Sequence, residues 1–237
     1  MNTKLHFKQT DEQKVYFCSD LHWNHNPKWP VPLWKSRGYH SVEEQNTHQI
    51  MEINRVVRPN DILVNLGDTT LNCSESQFES LLSQINCQNI YTLWGNHNSP
   101  SWAIYQREVS KKYTQSVYDG TDYMGSPMDV HHIPLTDVEV YPFRYRNMIF
   151  IGNYAEMVVD GHYFVLSHYP IYVFNHMKDG TTHLCGHSHY NLTLSQADNK
   201  QSKILDVGWD GKLSVWSVQE ILDVTNTKNI LKVDHHK

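Results

Sequence analysis

The chain has 237 residues, 39% of them hydrophobic and 19% charged, and a net charge of −5 with its 16 histidines neutral. That composition supports a sizeable buried core and excludes a disordered chain, and its acidic balance argues against a protein that coats long nucleic acid, which lysine and arginine would have to hold. No apolar run approaches the ~20 residues of a membrane span, and the polar opening "MNTKLHFKQTDEQK" holds no signal-peptide core.

From Lys14 to Ser19 an apolar run rich in Val, Tyr and Phe predicts a buried strand. A loop crowded with Trp and Pro follows, from Trp23 to His40. Ser41 and Glu44 form an S-x-x-E capping box, which opens a helix carrying Ile50, Ile53 and Val57 at helical spacing and ending at Pro59 and Asn60. "DILVNL", Asp61 to Leu66, predicts a second strand. Phe78, Leu81, Leu82 and Ile85 mark a second amphipathic helix, and "NIYTLW", Asn89 to Trp94, a third strand. This β-α-β-α-β order implies a parallel sheet with helical crossovers.

Ser101 to Tyr113 reads as a helix, and Asp119 to Asn147 as irregular. Six short β-type runs then follow closely: "MIFIG", "EMVVD", "HYFVLS", "THLCG", "KILDVG" and "KLSVWS". They predict a second sheet, largely antiparallel or mixed. No repeat or linker interrupts the chain. The expectation is one domain over 1–237: a βαβαβ half at 14–98, a helix with an irregular substrate-side insertion at 99–147, and a β-rich half at 148–220. Cys18, Cys73, Cys87 and Cys185 form no CxxC pair and read as reduced thiols of a cytoplasmic protein.

Polar residues collect where these strands end. Asp20 and His22 follow the first, Gly67-Asp68 the second and Gly95-Asn96-His97 the third; His168 follows "HYFVLS", and Gly186-His187-Ser188-His189 follows "THLC". In open α/β sheets, ligands bind in the crevice beyond the carboxyl ends of the strands. Residues two apart in an extended segment point the same way, so Asp20 with His22, and His187 with His189, can each aim a pair at one point. Each piece alone has a plain structural reading: a chance D-x-H, a Gly-Asp turn, a solvated H-x-H. His131, His132, His235 and His236 are read that way, as surface residues. Five such ends in succession are a poor coincidence. Imidazole nitrogens with carboxylate and amide oxygens, and no thiolate, suit manganese, iron, zinc and similar ions. Seven side chains are too many for one ion with an open position. They suit two ions ~3.5–4 Å apart sharing a carboxylate, the apparatus of phosphoester hydrolysis.

The series D-x-H, G-D, G-N-H, a lone His after a strand and G-H-x-H, running from Asp20 to His189, resembles the calcineurin-like metallophosphoesterases. Short phage and bacterial members are the most similar in detail. They carry "D-x-H-F-x-H", an Arg-containing loop, a "SVEEMN"-type helix, an Asn before the G-D strand and a "VLDVGVDG" ending. Here the matching text is "DLHWNH", Arg37, "SVEEQN", Asn54 and "ILDVGWDG". The resemblance implies an α/β, four-layer αββα sandwich, with two mixed sheets flanked by helices and a binuclear site at the strand ends. It implies that Asp20, His22 and His189 hold one divalent ion and Asn96, His168 and His187 the other, with Asp68 bridging. Manganese is the first expectation, with iron, zinc, nickel or magnesium as alternatives. His97 stands outside the ligands as a proton donor to the leaving oxygen or a stabiliser of the charge building there.

Two features depart from the family. The acid that usually follows G-N-H is Asn98, which can accept a hydrogen bond from the His97 ring but adds no charge. "GDTTLN" lacks the acid-and-arginine pattern of phosphoprotein phosphatases, against a protein phosphatase of that type. The loop from Trp23 to His40 carries Trp23, Trp29 and Trp34 with Lys28, Lys35 and Arg37. It is either a loop pinned by aromatic burial or an aromatic, cationic rim that stacks a base and holds a phosphate. His25 is expected behind the ligands or facing substrate. Tyr141, Arg144 and Tyr145 would form a second wall. The reading is a hydrolase of a small phosphate ester, with a small or nucleotide-derived diester first and a monoester second. A nuclease or a non-catalytic scaffold is less favoured.

Overall fold

The computed structural model describes residues 3–26, 31–117 and 142–233. Their elements in chain order are β1 (Thr3–Phe7), β2 (Val15–Cys18), α1 (Leu33–Ser36), α2 (Val42–Val56), β3 (Ile62–Asn65), α3 (Glu75–Leu82), β4 (Asn89–Thr92), α4 (Ser101–Val117), β5 (Phe143–Tyr145), β6 (Met148–Phe150), β7 (Tyr154–Val159), β8 (His162–Ser167), β9 (Thr182–Cys185), β10 (Ile204–Asp206), β11 (Trp216–Ser217) and α5 (Val218–Thr225).

Two mixed sheets flanked by helices result. One has the order β11-β2-β3-β4-β6-β5, with its four central strands parallel and both edge strands antiparallel. The other has the order β1-β7-β8-β9-β10, in which β7 and β8 alone run antiparallel. Alternation along β3 shows how they stack. Ile62 and Val64 join Phe17, Met157, Phe164, Leu184 and Leu205 in a core shared by both sheets. Leu63, one residue out of phase, packs with Ile53 of α2, Phe78 and Leu82 of α3 and Ile104 of α4. Both faces of the central strands are thus buried, as parallel sheets require. Over the far face of the five-stranded sheet, Phe174 and Met177 pack on Val165, Cys185 and Ile204.

The capped helices form for local reasons. Ser41 Oγ accepts from Glu44 N at 3.1 Å at the head of α2. Ser74 and Gln77 close a full capping box on α3. Three features differ from the expectation. "MIFIG" and "KLSVWS" do not enter the second sheet: β6 lies parallel to β4 and β11 antiparallel to β2, both in the first. The second sheet is completed instead by β1, drawn from the polar N-terminal stretch. Its burial alternates so that Thr3, Leu5 and Phe7 are the less exposed residues, a period-2 signal. Helix α5, with its own Ser217–Glu220 capping box, was also legible as an S-x-x-E before Ile221. Among the described residues no helix is long and apolar enough to cross a membrane, and all four cysteines are free and buried.

Candidate metal centre

All the expected ligand residues lie beyond the carboxyl ends of β2, β3, β4, β8 and β9. They form two groups, Asp20–His22–His189 and Asp68–His168–His187, within each of which one ligand atom per residue lies within 4.8 Å of the others. Asp68 connects them. Its Oδ2 is 3.4 Å from His22 Nε2 and its Oδ1 3.4 Å from His168 Nε2. Asn96 joins the second group, its Oδ1 lying 2.9 Å from both His168 Nε2 and His187 Nδ1.

The pairs do not converge by strand alternation. Asp20, His22, Asp68, His187 and His189 all have left-handed backbones, with φ from 47° to 66°. Such a conformation costs a non-glycine residue about 1–3 kcal/mol, though Asp and His tolerate it better than bulky or branched residues. Surrounding contacts hold it. The Asp20 and His22 amides donate to Gly67 O and Asp68 O, at 3.1 and 2.9 Å. Beyond the ligands, isolated parallel bridges join Trp23 to Thr70 and Thr70 to Asn98. Two motif glycines admit the carboxylates. A Cβ on Gly95 would sit 2.0 Å from Asp68 Oδ1, and one on Gly186 2.3 Å from Asp20 Oδ2.

The ring nitrogens are oriented from behind. His168 Nδ1 donates to Leu66 O at 3.0 Å, which leaves Nε2 for the cluster. His189 Nδ1 bonds Asp210 Oδ2 at 2.8 Å. Arg37 grips the same Asp210 through Nε and Nη2 at 2.9 and 2.6 Å, and also reaches Asp20 O, Leu21 O and Gln45 Oε1. Asp210, which these contacts place directly behind the candidate centre, is a residue that the sequence reading missed. Its signal was "ILDVGWDG", quoted for the resemblance without a role for the acid. His22 Nδ1 faces His25 Nδ1 at 3.1 Å, so His25 lies behind a ligand.

Burial and charge oppose one another throughout. Burial raises Asp20, but His22 and the charges of His168 and His189 outweigh it and hold the carboxyl below its ordinary value. Burial likewise raises Asp68, and His168 with the His97 N–H reverses it. Burial lowers His22 and, with the neighbouring histidines and Arg37, takes His25 down to about 4. For His168 burial is overcome by Asp68 and Asp20, and for His189 by Asp210 and Asp20, so both are raised. Burial raises Asp210, but Arg37 and His189 pull it far below the usual carboxylate range. His22 Nε2 is buried and makes no hydrogen bond, yet it lies 3.7 Å from Asp20 Oδ1 and 3.4 Å from Asp68 Oδ2. An orphaned imidazole nitrogen converging with two ionised carboxylates is a donor set that fits a divalent cation.

Several expectations for the surroundings need correction. Arg37 is 8% exposed. Its guanidinium is spent on Asp210, Gln45 and two backbone carbonyls, so it is not part of a cationic rim. Trp23 is core, at 2% exposure, and Trp34 Nε1 donates to Asn26 Oδ1 at 3.1 Å. Lys28 and Trp29 lie outside the described residues, as do His131, His132, Tyr141, His235 and His236. Arg144 reaches Gln88 O, at the amino end of β4, and Tyr145 bonds Glu79 of α3. Neither can wall a site at the opposite end of that strand. Asn98 does not orient the His97 ring. Its Oδ1 accepts from Gly95 N and its Nδ2 donates to Gly95 O, a two-way bond that an aspartate cannot complete because a carboxylate only accepts. His97 donates its backbone N–H to Asp68 Oδ1 at 2.8 Å, while its ring, 5.5 Å from that of His22, belongs to neither ligand group.

The family model for calcineurin-like phosphoesterases matches residues 13–191. No curated protein matches the chain. A solved structure of a protein of unknown function from Aquifex aeolicus aligns with 89% of this chain and 98% of its own, at 15% identity and a TM-score of 0.49, a likeness too distant to bear on function.

Proposed function

The chain belongs to the calcineurin-like phosphoesterase family, whose chemistry is metal-dependent phosphoester hydrolysis, and we propose that this member hydrolyses a small, nucleotide-derived phosphodiester with two divalent ions, manganese first among them. The observation that carries the binuclear reading is Asp68, whose two oxygens each face a nitrogen of a different ligand group at 3.4 Å. In this reading Asp20, His22 and His189 would hold one ion, Asn96, His168 and His187 would hold the other, and Asp68 would serve both. When bound, the ions supply Lewis acidity and make a water nucleophilic near neutral pH. His97, fixed through its amide to Asp68, gives a proton to the leaving oxygen as the phosphorus–oxygen bond to that group breaks and the one from water forms.

Arg37 lends a phosphomonoester no support. Its charge is committed inward, so it offers nothing to a phosphate dianion, whereas a diester carries a single charge. The acidic chain is likewise a poor match for extended nucleic acid. Assay of bis(p-nitrophenyl) phosphate beside p-nitrophenyl phosphate with added Mn²⁺ tests the reading. Higher kcat/KM on the diester is expected. Preference for the monoester replaces it with a phosphatase, and inactivity on both leaves a scaffold.

A further inference from the structure

A cavity of about 510 Å³ opens beside Asn96, lined by Trp94, Asn96, Asn98, Ser99, Trp102 and Asn153. It lies past the carboxyl ends of β4 and β6, against the first turn of α4. Asn96 belongs to both the cavity wall and the second ligand group, so anything held on that group has this cavity next to it. Among the described residues the lining is indoles, amides, a hydroxyl and the small Gly95 and Ala103, with no charged side chain. That chemistry suits a flat, neutral, hydrogen-bonding group and is wrong for a second phosphate or a long alkyl chain.

Two residues make the fit specific. Trp102 is 45% exposed yet held in place, stacked on Tyr105 at 5.4 Å and edge-on to Trp94 at 5.0 Å. A large aromatic left in water but locked by two neighbours is a ready stacking surface, and its ordering cost is already met. Asn153 is exposed, and its amide makes no hydrogen bond to the described residues. An amide presents a donor and an acceptor together, the pattern that reads the edge of a base. Asn98, by contrast, is spent on Gly95.

We infer that this cavity is a nucleobase subsite in which Trp102 stacks the base of a nucleotide ester and Asn153 hydrogen-bonds its edge. The inference rests on the phosphodiester reading and names the class of group that the ester carries.

Saturation-transfer NMR on the full chain, with EDTA present to prevent turnover, compares adenosine with ribose. Adenosine is expected to bind saturably, with a much higher affinity than ribose. Trp102→Ala should weaken adenosine about tenfold or more, the scale of one base stacked on an aromatic ring, and Trp102→Phe should retain most of the affinity. Because Trp102 also packs on Trp94 and Tyr105, Asn153→Ala provides a second variant at an exposed side chain with no hydrogen bond to the described residues, and it too should weaken adenosine. Equal affinities for adenosine and ribose, no binding of either, or unchanged adenosine affinity in either alanine variant overturns the subsite. A hydrolytic arm separates this from the activity. The kcat/KM ratio of thymidine 5′-(p-nitrophenyl phosphate) over methyl p-nitrophenyl phosphate should fall about tenfold in Trp102→Ala, and an unchanged ratio counts against the subsite. Failure to hydrolyse either ester refutes the diesterase, while the adenosine result still decides the cavity.

Discussion

The two halves of the candidate centre are built differently. Around Asp20, His22 and His189 the protein is closed. Asp20 and His22 are at most 1% exposed, and His189 is braced by Asp210, itself clamped by the buried Arg37. Around Asn96, His168 and His187 it is open. His168 is buried, but Asn96 and His187 are exposed, and the His187 ring is backed by the half-exposed Tyr169, 4.5 Å away. A carboxylate behind a ligating imidazole raises its basicity and fixes its orientation; an exposed amide does neither. On the proposed binuclear reading, the difference teaches that the closed half would hold its ion for structure and charge, while the open half would be the one to give up coordination to substrate.

The sharpest break is at the residue both halves share. Asp68→Asn should weaken both ions and cost more than about 10⁴-fold in hydrolysis, because several kcal/mol of charge stabilisation depend on them. Metal content and kcat/KM measure it; two ions per chain at full activity would falsify the binuclear model. Next is His97→Asn, which should slow an alkyl or nucleoside ester by roughly 10²- to 10⁴-fold. A nitrophenyl ester, whose leaving group needs no proton, should suffer far less. Equal losses on matched esters remove the donor role, and loss of an ion makes His97 a ligand.

The asymmetry itself is tested by Asp210→Asn, which should lower affinity for one ion about 10- to 100-fold and leave the other in place. Isothermal titration with Mn²⁺ would resolve the two steps; a uniform loss at both means that the halves are not independent. The smallest effect is thermal. Stripping the ions with EDTA should lower Tm by on the order of 5–10 °C, and Mn²⁺ should restore it. In the same scans His22→Ala, in the closed half, should destabilise more than His187→Ala. The reverse order would sink the comparison.

What the sequence disclosed and what it hid divide along physical lines. The convergence of these side chains was legible, because carboxylates and imidazoles directly after apolar runs have few other uses, and α2 announced itself through its S-x-x-E cap. The backbone that aims the ligands was not. Left-handed residues such as Asp20 and His189 carry no local signature beyond a tolerant residue type, so an alternation argument reached the right convergence by the wrong geometry. Sheet membership was hidden as well. Whether "MIFIG" pairs with β4 or with β7 is decided by partners far away in the chain, which no local pattern encodes. Arg37 misled because an arginine in an aromatic loop looks like a surface cation until its carboxylate, 173 residues away at Asp210, is known. Asn98 misled for the opposite reason, since its partner is three residues back.

The bridges Trp23–Thr70 and Thr70–Asn98 have a consequence for how such a protein changes over time. The first sheet resumes briefly beyond Asp20–His22, Asp68 and Asn96–His97, so each of these loops is stitched down on both sides of its chemistry. A residue inserted between a strand end and its bridge would break the register on both sides at once, whereas one inserted outside the bridge would leave the carboxylates and imidazoles where they are. The pinned turns thus act as fixed hems, and they set how short the spacing between strand and bridge must stay.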